Sequence, residues 1–165
     1  QRQDYYLFKT LITQLYQDGF VGDALHFSKN MIDIYGDLAL PAFLIQGLAA
    51  QRQDRHQEAV NYFSKSINFG DEPMDYLCLA SRALSHNRLG NITYALDDYR
   101  SCFKCCGLDM QWKVIETMGM LIDRYSNDYP LSSYKQWLSQ VVSLYQEVIP
   151  SVVFTRLKAW GYFDS

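Results

Sequence analysis

The sequence has no hydrophobic run of the length that a membrane span requires. A bilayer-spanning helix needs about 18–20 consecutive apolar residues, and every apolar stretch of the 165-residue chain is shorter than that. The first residues, QRQDYY, also lack the basic start and apolar core of a secretory signal. We therefore expect no membrane span and a reducing location inside the cell, in the cytoplasm or the nucleus.

An excess of charge of one sign is also missing. The net charge is -3, from 15 basic and 18 acidic residues, and neither sign forms a long run. A nucleic-acid surface would show as a basic stripe, so we expect no nucleic-acid partner. The chain also has no initiator Met and ends abruptly at YFDS, which leads us to expect a segment of a longer protein.

Cysteine is scarce, and three of the four residues fall within the stretch SCFKCC. A structural zinc site needs four ligands, usually two Cys-x-x-Cys pairs, and this chain has only one pair. A metal site remains one interpretation. The other is that these are small apolar side chains near a helix end in a reducing compartment. We expect the second, with no metal and no other cofactor.

The four prolines, at 41, 73, 130 and 150, stand where helices are expected to begin, since proline is tolerated in a first turn and excluded from a helix interior. Between them, apolar residues recur every three or four positions, which is typical of amphipathic helices. No stretch alternates strictly over five or more residues, so no strand is predicted. Nine helices are predicted, at 4–17, 20–35, 39–53, 55–69, 73–89, 91–106, 109–127, 131–149 and 151–161.

The stretch GNITYALDDY, residues 90–99, has counterparts earlier in the chain. Its Ala95 follows Ala24 and Ala59 at intervals of 35 and 36 residues. Each alanine has a turn residue five positions before it and another turn former twelve positions after it. The preceding residues are Gly19, Asp54 and Gly90, and the following ones are Gly36, Asp71 and Gly107. A period of this length indicates a repeated helix–turn–helix unit.

This unit resembles the tetratricopeptide repeat, whose period is 34 residues. In that register the units begin at Tyr5, Leu40 and Tyr76. The first unit departs from the family pattern, because Ile12 and Ser28 stand where a small and an aromatic residue are usual. The corresponding pairs in the second and third units, Gly47 with Phe63 and Ala83 with Tyr99, fit the pattern.

The resemblance implies an all-α fold, a right-handed superhelix of antiparallel helix hairpins forming one domain over 1–165. The predicted segments are three repeats at 5–38, 39–73 and 74–108, a divergent helical pair at 109–149 and a capping helix at 150–162. In the divergent pair, Gly119 takes the small eighth position. The last helix either shields the open end of the stack or pairs with another copy or domain. An irregular helical bundle with chance alanines is the alternative fold.

Residues for catalysis do not form a motif. The chain has no Gly-x-Ser-x-Gly stretch and no phosphate-binding loop, and the three histidines occur singly. The acidic pair Asp97 and Asp98 is interpreted as the solvated face of a helix, with Arg100 nearby. We therefore predict that this chain is not an enzyme.

A binding function is better supported. A stack of helix hairpins curves, and its first helices line a concave groove. The family resemblance implies that positions two, five, nine and thirteen of each unit face that groove. With the adjoining Tyr16, these positions give the predicted partner-binding residues Tyr6, Lys9, Thr13, Tyr16, Gln17, Pro41, Leu44, Leu48, Arg52, Leu77, Ala80, Leu84 and Arg88.

Arg52 and Arg88 hold the same place in successive units. Arginine binds carboxylates and phosphates through two parallel hydrogen bonds, so we expect a protein or peptide partner with acidic and apolar residues. A second interpretation is that both arginines only complement the negative end of a helix dipole. The family's clamp for chaperone tails is not expected, since Lys9 alone matches its five positions.

The competing function is a structural or dimerisation domain of a larger protein. It would act through the C-terminal helices, with self-association through 109–165. Trp112, Trp137 and Trp160 all lie in that part of the chain. An exposed tryptophan patch there would mark an interface, and buried tryptophans would only contribute to the core.

Overall fold

The computed structural model describes residues 2–67 and 75–163, and every regular element within those two ranges is a helix. The all-α prediction is therefore confirmed for this part of the chain. Single 3-10 turns lie at Gly36–Leu38 and Gln146–Val148. The α-helices are α1 (Arg2–Gln17), α2 (Val21–Tyr35), α3 (Leu40–Arg52), α4 (His56–Ser66), α5 (Asp75–Arg88), α6 (Ile92–Cys105), α7 (Leu108–Tyr125), α8 (Ser132–Leu144) and α9 (Ser151–Ala159).

Three of the prolines lie at helix starts, as predicted. Pro41 is in the first turn of α3, Pro150 caps α9, and Pro130 lies two residues before α8. The helix start at Pro73 and the turn at Asp71 lie outside the described residues. The helix predicted over 131–149 is wrong in length, because α8 ends at Leu144 and a 3-10 turn follows it.

Consecutive helices pack against each other from α1 to α8, most closely within the pairs α3–α4 and α5–α6, and α9 packs on α7. The first helix of each pair also touches the first helix of the next, so that α1 meets α3 and α3 meets α5. The first helices thus form a continuous row, and that row carries the residues predicted to bind a partner.

The turns inside these three pairs share one backbone geometry. Gly19, Asp54 and Gly90 have positive φ values of 89°, 58° and 80°. In each turn the next residue donates its amide to the carbonyl five positions earlier, at 2.8–3.0 Å. Glycine reaches this left-handed conformation without a Cβ penalty, and aspartate tolerates it better than most residues. The three turn residues predicted inside the hairpins therefore all act in the same way.

Small residues lie where the paired helices approach each other. Ala24, Ala59 and Ala95 are all fully buried. Gly47 is closer still to its neighbour, since a Cβ added there would lie 2.6 Å from Cε1 of Phe63. Any larger side chain at these positions would push the helices of a pair apart, as the sequence pattern predicts.

We expect Ala95→Leu to lower the free energy of unfolding by about 1–3 kcal/mol, because extra methylene groups in a close-packed core force displacements. Urea denaturation measures the change. The neighbouring exposed residue supplies the control, since Tyr94→Leu should alter stability by less than about 0.5 kcal/mol. A change near zero at both Ala95 and Ala59 would show that this description of the packing is wrong.

The last helix packs on α7 rather than standing apart. Leu157 of α9 is fully buried, and the ring of Trp160 lies against Gly119, where an added Cβ would come within 2.9 Å of it. The small position that the repeat pattern places in α7 therefore faces α9. In the second pair the equivalent glycine faces the very next helix, so the C-terminal part of the chain packs differently.

Candidate functional site

A small cleft opens between the first helices α1, α3 and α5. Four of the predicted partner-binding residues, from α1 and α3, meet at this cleft. Tyr5, Leu40, Ser66 and two residues of α5, which the sequence reasoning did not place in the groove, complete it. Its lining residues are Tyr5, Lys9, Thr13, Leu40, Pro41, Leu44, Ser66, Asp75 and Cys78.

The floor of the cleft is fixed by hydrogen bonds. The hydroxyl of Ser66 lies 2.8 Å from the carbonyl oxygen of Leu40, to which it donates, and 3.3 Å from Sγ of Cys78. Burial raises the pKa of the Cys78 thiol, and the contact with Ser66 opposes that shift only in part. Cys78 is therefore a neutral thiol, which is a poor nucleophile. Among the described residues that line the cleft, Lys9 is the one cation and Asp75 the one carboxylate.

Arg52 and Tyr16 meet at the opposite end of the same helices. The guanidinium carbon of Arg52 lies 4.9 Å from the centre of the Tyr16 ring. This cation–π contact joins α1 to α3 and restricts an exposed arginine to one orientation. Burial raises the pKa of the Tyr16 hydroxyl, and the charge on Arg52 acts in the opposite direction. Tyr16 therefore stays neutral at physiological pH.

The other predicted residues lie along the row outside the cleft. Leu48, Leu77 and Ala80 are half-buried. Leu84 is 39% exposed and Tyr6 is 55% exposed. Gln17 and Arg88 are exposed. The row therefore presents accessible apolar side chains and, at its far edge, guanidinium groups.

The row continues onto α7. A second depression lies between α5 and the start of α7, lined by Tyr76, Gly107, Leu108, Asp109, Met110 and Lys113. Further along α7, Met120 and Arg124 are exposed and follow Leu84 and Arg88 by 36 residues each. The sequence reasoning missed Arg124, although the same period that placed Arg88 after Arg52 also gives Arg124.

Asp98 is buried, so its interpretation as part of a solvated face is wrong. Its carboxylate accepts two hydrogen bonds from Arg82, at 2.7 and 2.8 Å, and Arg82 also bonds the hydroxyl of Ser64 at 3.1 Å. On α6, Asp98 lies between Ala95 and Tyr99 on the stripe that faces the core. Arg82 and Asp98 therefore link α4, α5 and α6, and the Arg82 side chain has a structural role.

Asp97 points the other way and joins α6 to α8. It pairs with Arg100 at 3.2 Å and accepts a hydrogen bond from the hydroxyl of Tyr134 at 2.7 Å. The guanidinium of Arg100 also lies 5.3 Å from the centre of the Tyr134 ring. The two acidic residues thus serve separate helix contacts, and nothing in their arrangement forms a paired-carboxylate site.

His86 lies beside the buried ion pair. Its Nε2 is 3.9 Å from Asp98, yet burial lowers the pKa of the imidazole, and the nearby carboxylate offsets this only in part. The ring is therefore neutral at pH 7. Within residues 2–67 and 75–163, its Nδ1 makes no hydrogen bond. His86 thus packs between α5 and α6, and its ring does not contribute to the accessible face of the first helices.

The cysteines show no arrangement for chemistry. Cys78 and Cys102 are buried, while Cys105 is exposed and Cys106 is half-buried. Burial raises the pKa of Cys102 to about 12, which leaves it as an unreactive thiol. Among the side chains that the structure describes, no three His, Cys, Asp or Glu residues are grouped so that they could hold a metal ion.

No protein-family model matches this chain, and no curated protein matches it. In the two described ranges, no helix combines the length and the apolar character that crossing a bilayer requires. The functional interpretation therefore rests on the row of first helices and its chemistry.

The three tryptophans all pack inside the C-terminal part. Trp112 makes an edge contact with Tyr145, and Trp137 makes one with Phe103, at ring separations of 5.7 and 5.4 Å. Trp160 covers Gly119. These rings contribute to the core and do not form an exposed aromatic patch.

Proposed function

We propose that the chain is a protein-interaction module of the tetratricopeptide type, with a scaffold or adaptor role. Its first helices would bind a segment of a partner protein or a peptide. The observation that carries this proposal is the cleft between α1, α3 and α5, where four groove positions derived from the repeat register converge: Lys9, Thr13, Pro41 and Leu44.

Two features support the repeat register itself. The first is the contact between Gly47 and Phe63, which stand at the eighth and twenty-fourth positions of the second unit. The second is the turn geometry that Gly19, Asp54 and Gly90 share. Both follow from the chain's own packing, and both are what a stack of equivalent hairpins would require.

The volume of the cleft argues against a small-molecule site within it. The cleft encloses about 30 Å³, an order of magnitude less than the roughly 300–1,000 Å³ of small-molecule sites. The accessible chemistry is instead spread along a row, with half-buried apolar side chains and separate cations. An extended or helical segment with apolar anchors fits such a surface.

The proposal assigns no enzymatic activity to this chain. The buried ionisable groups are engaged in the fold, with Arg82 paired to Asp98 and the Cys102 thiol donating to the carbonyl of Tyr76 at 3.3 Å. Four cysteines without a disulfide favour a reducing compartment, the cytoplasm or the nucleus.

Peptide display on the immobilised chain tests the proposal. Peptides of about 12 residues are selected, and their affinities for purified variants are measured by fluorescence anisotropy. The double variant Lys9→Glu with Leu84→Asp, on the first helices, should weaken selected peptides by about tenfold or more, because both changes fall on the accessible row.

The matched control is Lys29→Glu with Tyr94→Asp. It makes the same charge changes at exposed positions of the second helices α2 and α6, and we expect affinity to stay within about twofold of the unmodified chain. Equal losses in both double variants, or no enrichment of any peptide, would refute binding along the first helices.

A second candidate function is docking through the C-terminal segment. Three large apolar side chains are exposed there: Leu144 at 82%, Val148 at 60% and Val152 at 63%. Light scattering across a concentration series tests self-association through this segment. A mass that stays at one chain would exclude it.

A further inference from the structure

The seven arginines whose side chains the structure describes divide into two groups by their partners. Four pair with carboxylates, and the other three, all exposed, have no carboxylate of the described residues within ion-pair distance. The pairs are Arg55 with Glu58, Arg82 with Asp98, Arg100 with Asp97 and Arg156 with Glu116. The other three, here called the arginine row, are Arg52, Arg88 and Arg124.

The arginine row follows the repeat. Its members are 36 residues apart, and each lies in the last turn of a first helix, on α3, α5 and α7. Four residues before each arginine stands an accessible apolar side chain. We call these three the apolar row: Leu48, which is half-buried, and Leu84 and Met120, which are 39% and 42% exposed.

Neighbouring members of the arginine row lie on adjacent helices. α3 touches α5, and α5 and α7 border one depression. Packed helices lie about 8–10 Å apart, and we expect the guanidinium groups of neighbouring first helices to follow a similar spacing. The arginine row would then be a line of three cations, with the apolar row one helical turn before it.

The helix dipole alone does not account for this pattern. A cation in the last turn of a helix is favourable whether it is lysine or arginine. The second helices α4 and α6 carry lysine there, Lys65 and Lys104, whereas α3, α5 and α7 all carry arginine. Arginine differs from lysine in its planar fork, which binds an anion with two parallel hydrogen bonds. The choice of arginine on one side of the stack thus indicates an anionic ligand.

We propose that the arginine row binds the carboxylates of an extended acidic peptide segment that crosses α3, α5 and α7. A segment in the extended polyproline II conformation rises about 3.1 Å per residue with three residues per turn, so acidic residues at every third position lie on one side of it, about 9 Å apart, a spacing similar to that of packed helices. Apolar residues between them contact the apolar row. Arg52 is already held in position by its stacking on Tyr16. This inference rests on the proposed binding function and specifies the ligand.

The test uses a fluorescent peptide of four Glu-Leu-Ser triplets and a peptide of the same composition with its glutamates clustered. Anisotropy titrations are run at low and at physiological salt, since screening weakens exposed charge contacts. We expect the periodic peptide to bind about tenfold more tightly than the clustered one. Replacing all three arginines by glutamate should abolish binding, and replacing them by lysine should weaken it about threefold to tenfold.

The matched control replaces Lys29, Lys65 and Lys104 by glutamate. These are three exposed lysines of the second helices, and two of them also stand in last turns. This variant should retain binding within about twofold. Equal affinity for the two peptides, an equal loss in the control, or binding only when phosphoserine replaces glutamate would overturn the inference.

The same titrations separate this inference from the proposed function. If displayed peptides bind the cleft and lose affinity with the Lys9→Glu and Leu84→Asp variant but not with the arginine variants, binding along the first helices stands and the arginine row is excluded. If no peptide binds at all, both the function and the inference fail.

Discussion

Asp98→Ala is expected to lower the free energy of unfolding by about 3–5 kcal/mol, the cost typical of removing one partner from a buried ion pair. The side chains of Arg82 and Asp98 are only 17% and 10% exposed. Without the carboxylate, the guanidinium keeps its bond to Ser64 and loses both of its charge-assisted bonds. Urea denaturation followed by circular dichroism measures the loss.

An exposed ion pair supplies the control for this prediction. Glu58 pairs with Arg55 on the surface, where about half of each side chain is accessible, so Glu58→Ala should cost less than about 1 kcal/mol. The double variant Arg82→Met with Asp98→Leu should be far more stable than Asp98→Ala alone, since no unpaired charge is left buried. Comparable losses for Asp98→Ala and Glu58→Ala would contradict the assignment of a buried pair.

The helices and their turns could be predicted because local rules determine them. The turn at Gly90, which ends α5, and the small residue Ala95 both lie within one stretch of ten residues. The left-handed conformation of that turn is accessible to glycine without a contact to any distant residue. The same holds for the proline starts at 41 and 150. Intervals of 35 and 36 residues then aligned these local signals, which is why Gly47 and Phe63 could be assigned to defined positions of the repeat; their close contact is seen in the structure.

The contacts that the sequence did not reveal join helices whose relative placement depends on the whole stack. The local sequence around Asp98 is typical of an exposed helix face. Its burial depends on the ion pair with Arg82 of the preceding helix, which the local sequence does not show. Gly119 lies against Leu157 of α9 and against Trp160, which follows that helix, instead of against α8, because the last helix packs on α7. Neither choice of partner follows from periodicity, although the position of Asp98 between Ala95 and Tyr99 on the buried stripe was a usable signal.

The candidate site was predicted in part for the same reason. Lys9 and Leu44 reach one cleft because the repeat register fixes which helix face they occupy. Asp75 and Cys78 join them only because α5 packs beside α3. Arg124 follows Arg88 at an interval of 36 residues, but the repeat becomes divergent after Gly107, so the small and aromatic positions no longer mark the register there.

The pair formed by Gly47 and Phe63 gives the second large effect. Phe63→Ser should cost about 3–5 kcal/mol, since it removes a fully buried ring and leaves a cavity. Gly47→Ile should cost about 3 kcal/mol or more, because its Cβ alone would lie 2.6 Å from the existing ring. Urea denaturation of each single variant provides the reference for the exchange of both residues.

The first hairpin already carries the exchanged arrangement. Ile12 and Ser28 occupy the positions equivalent to Gly47 and Phe63, and both are fully buried. The hydroxyl of Ser28 donates to the carbonyl of Ala24 at 2.6 Å, and a serine at 63 could reach the carbonyl of Ala59 in the same way. We therefore expect the double variant Gly47→Ile with Phe63→Ser to be more stable than the sum of the single losses, by about 1–3 kcal/mol. Strictly additive losses would mean that the large and small residues of each hairpin do not share one space, and that Ile12 and Ser28 are accommodated independently.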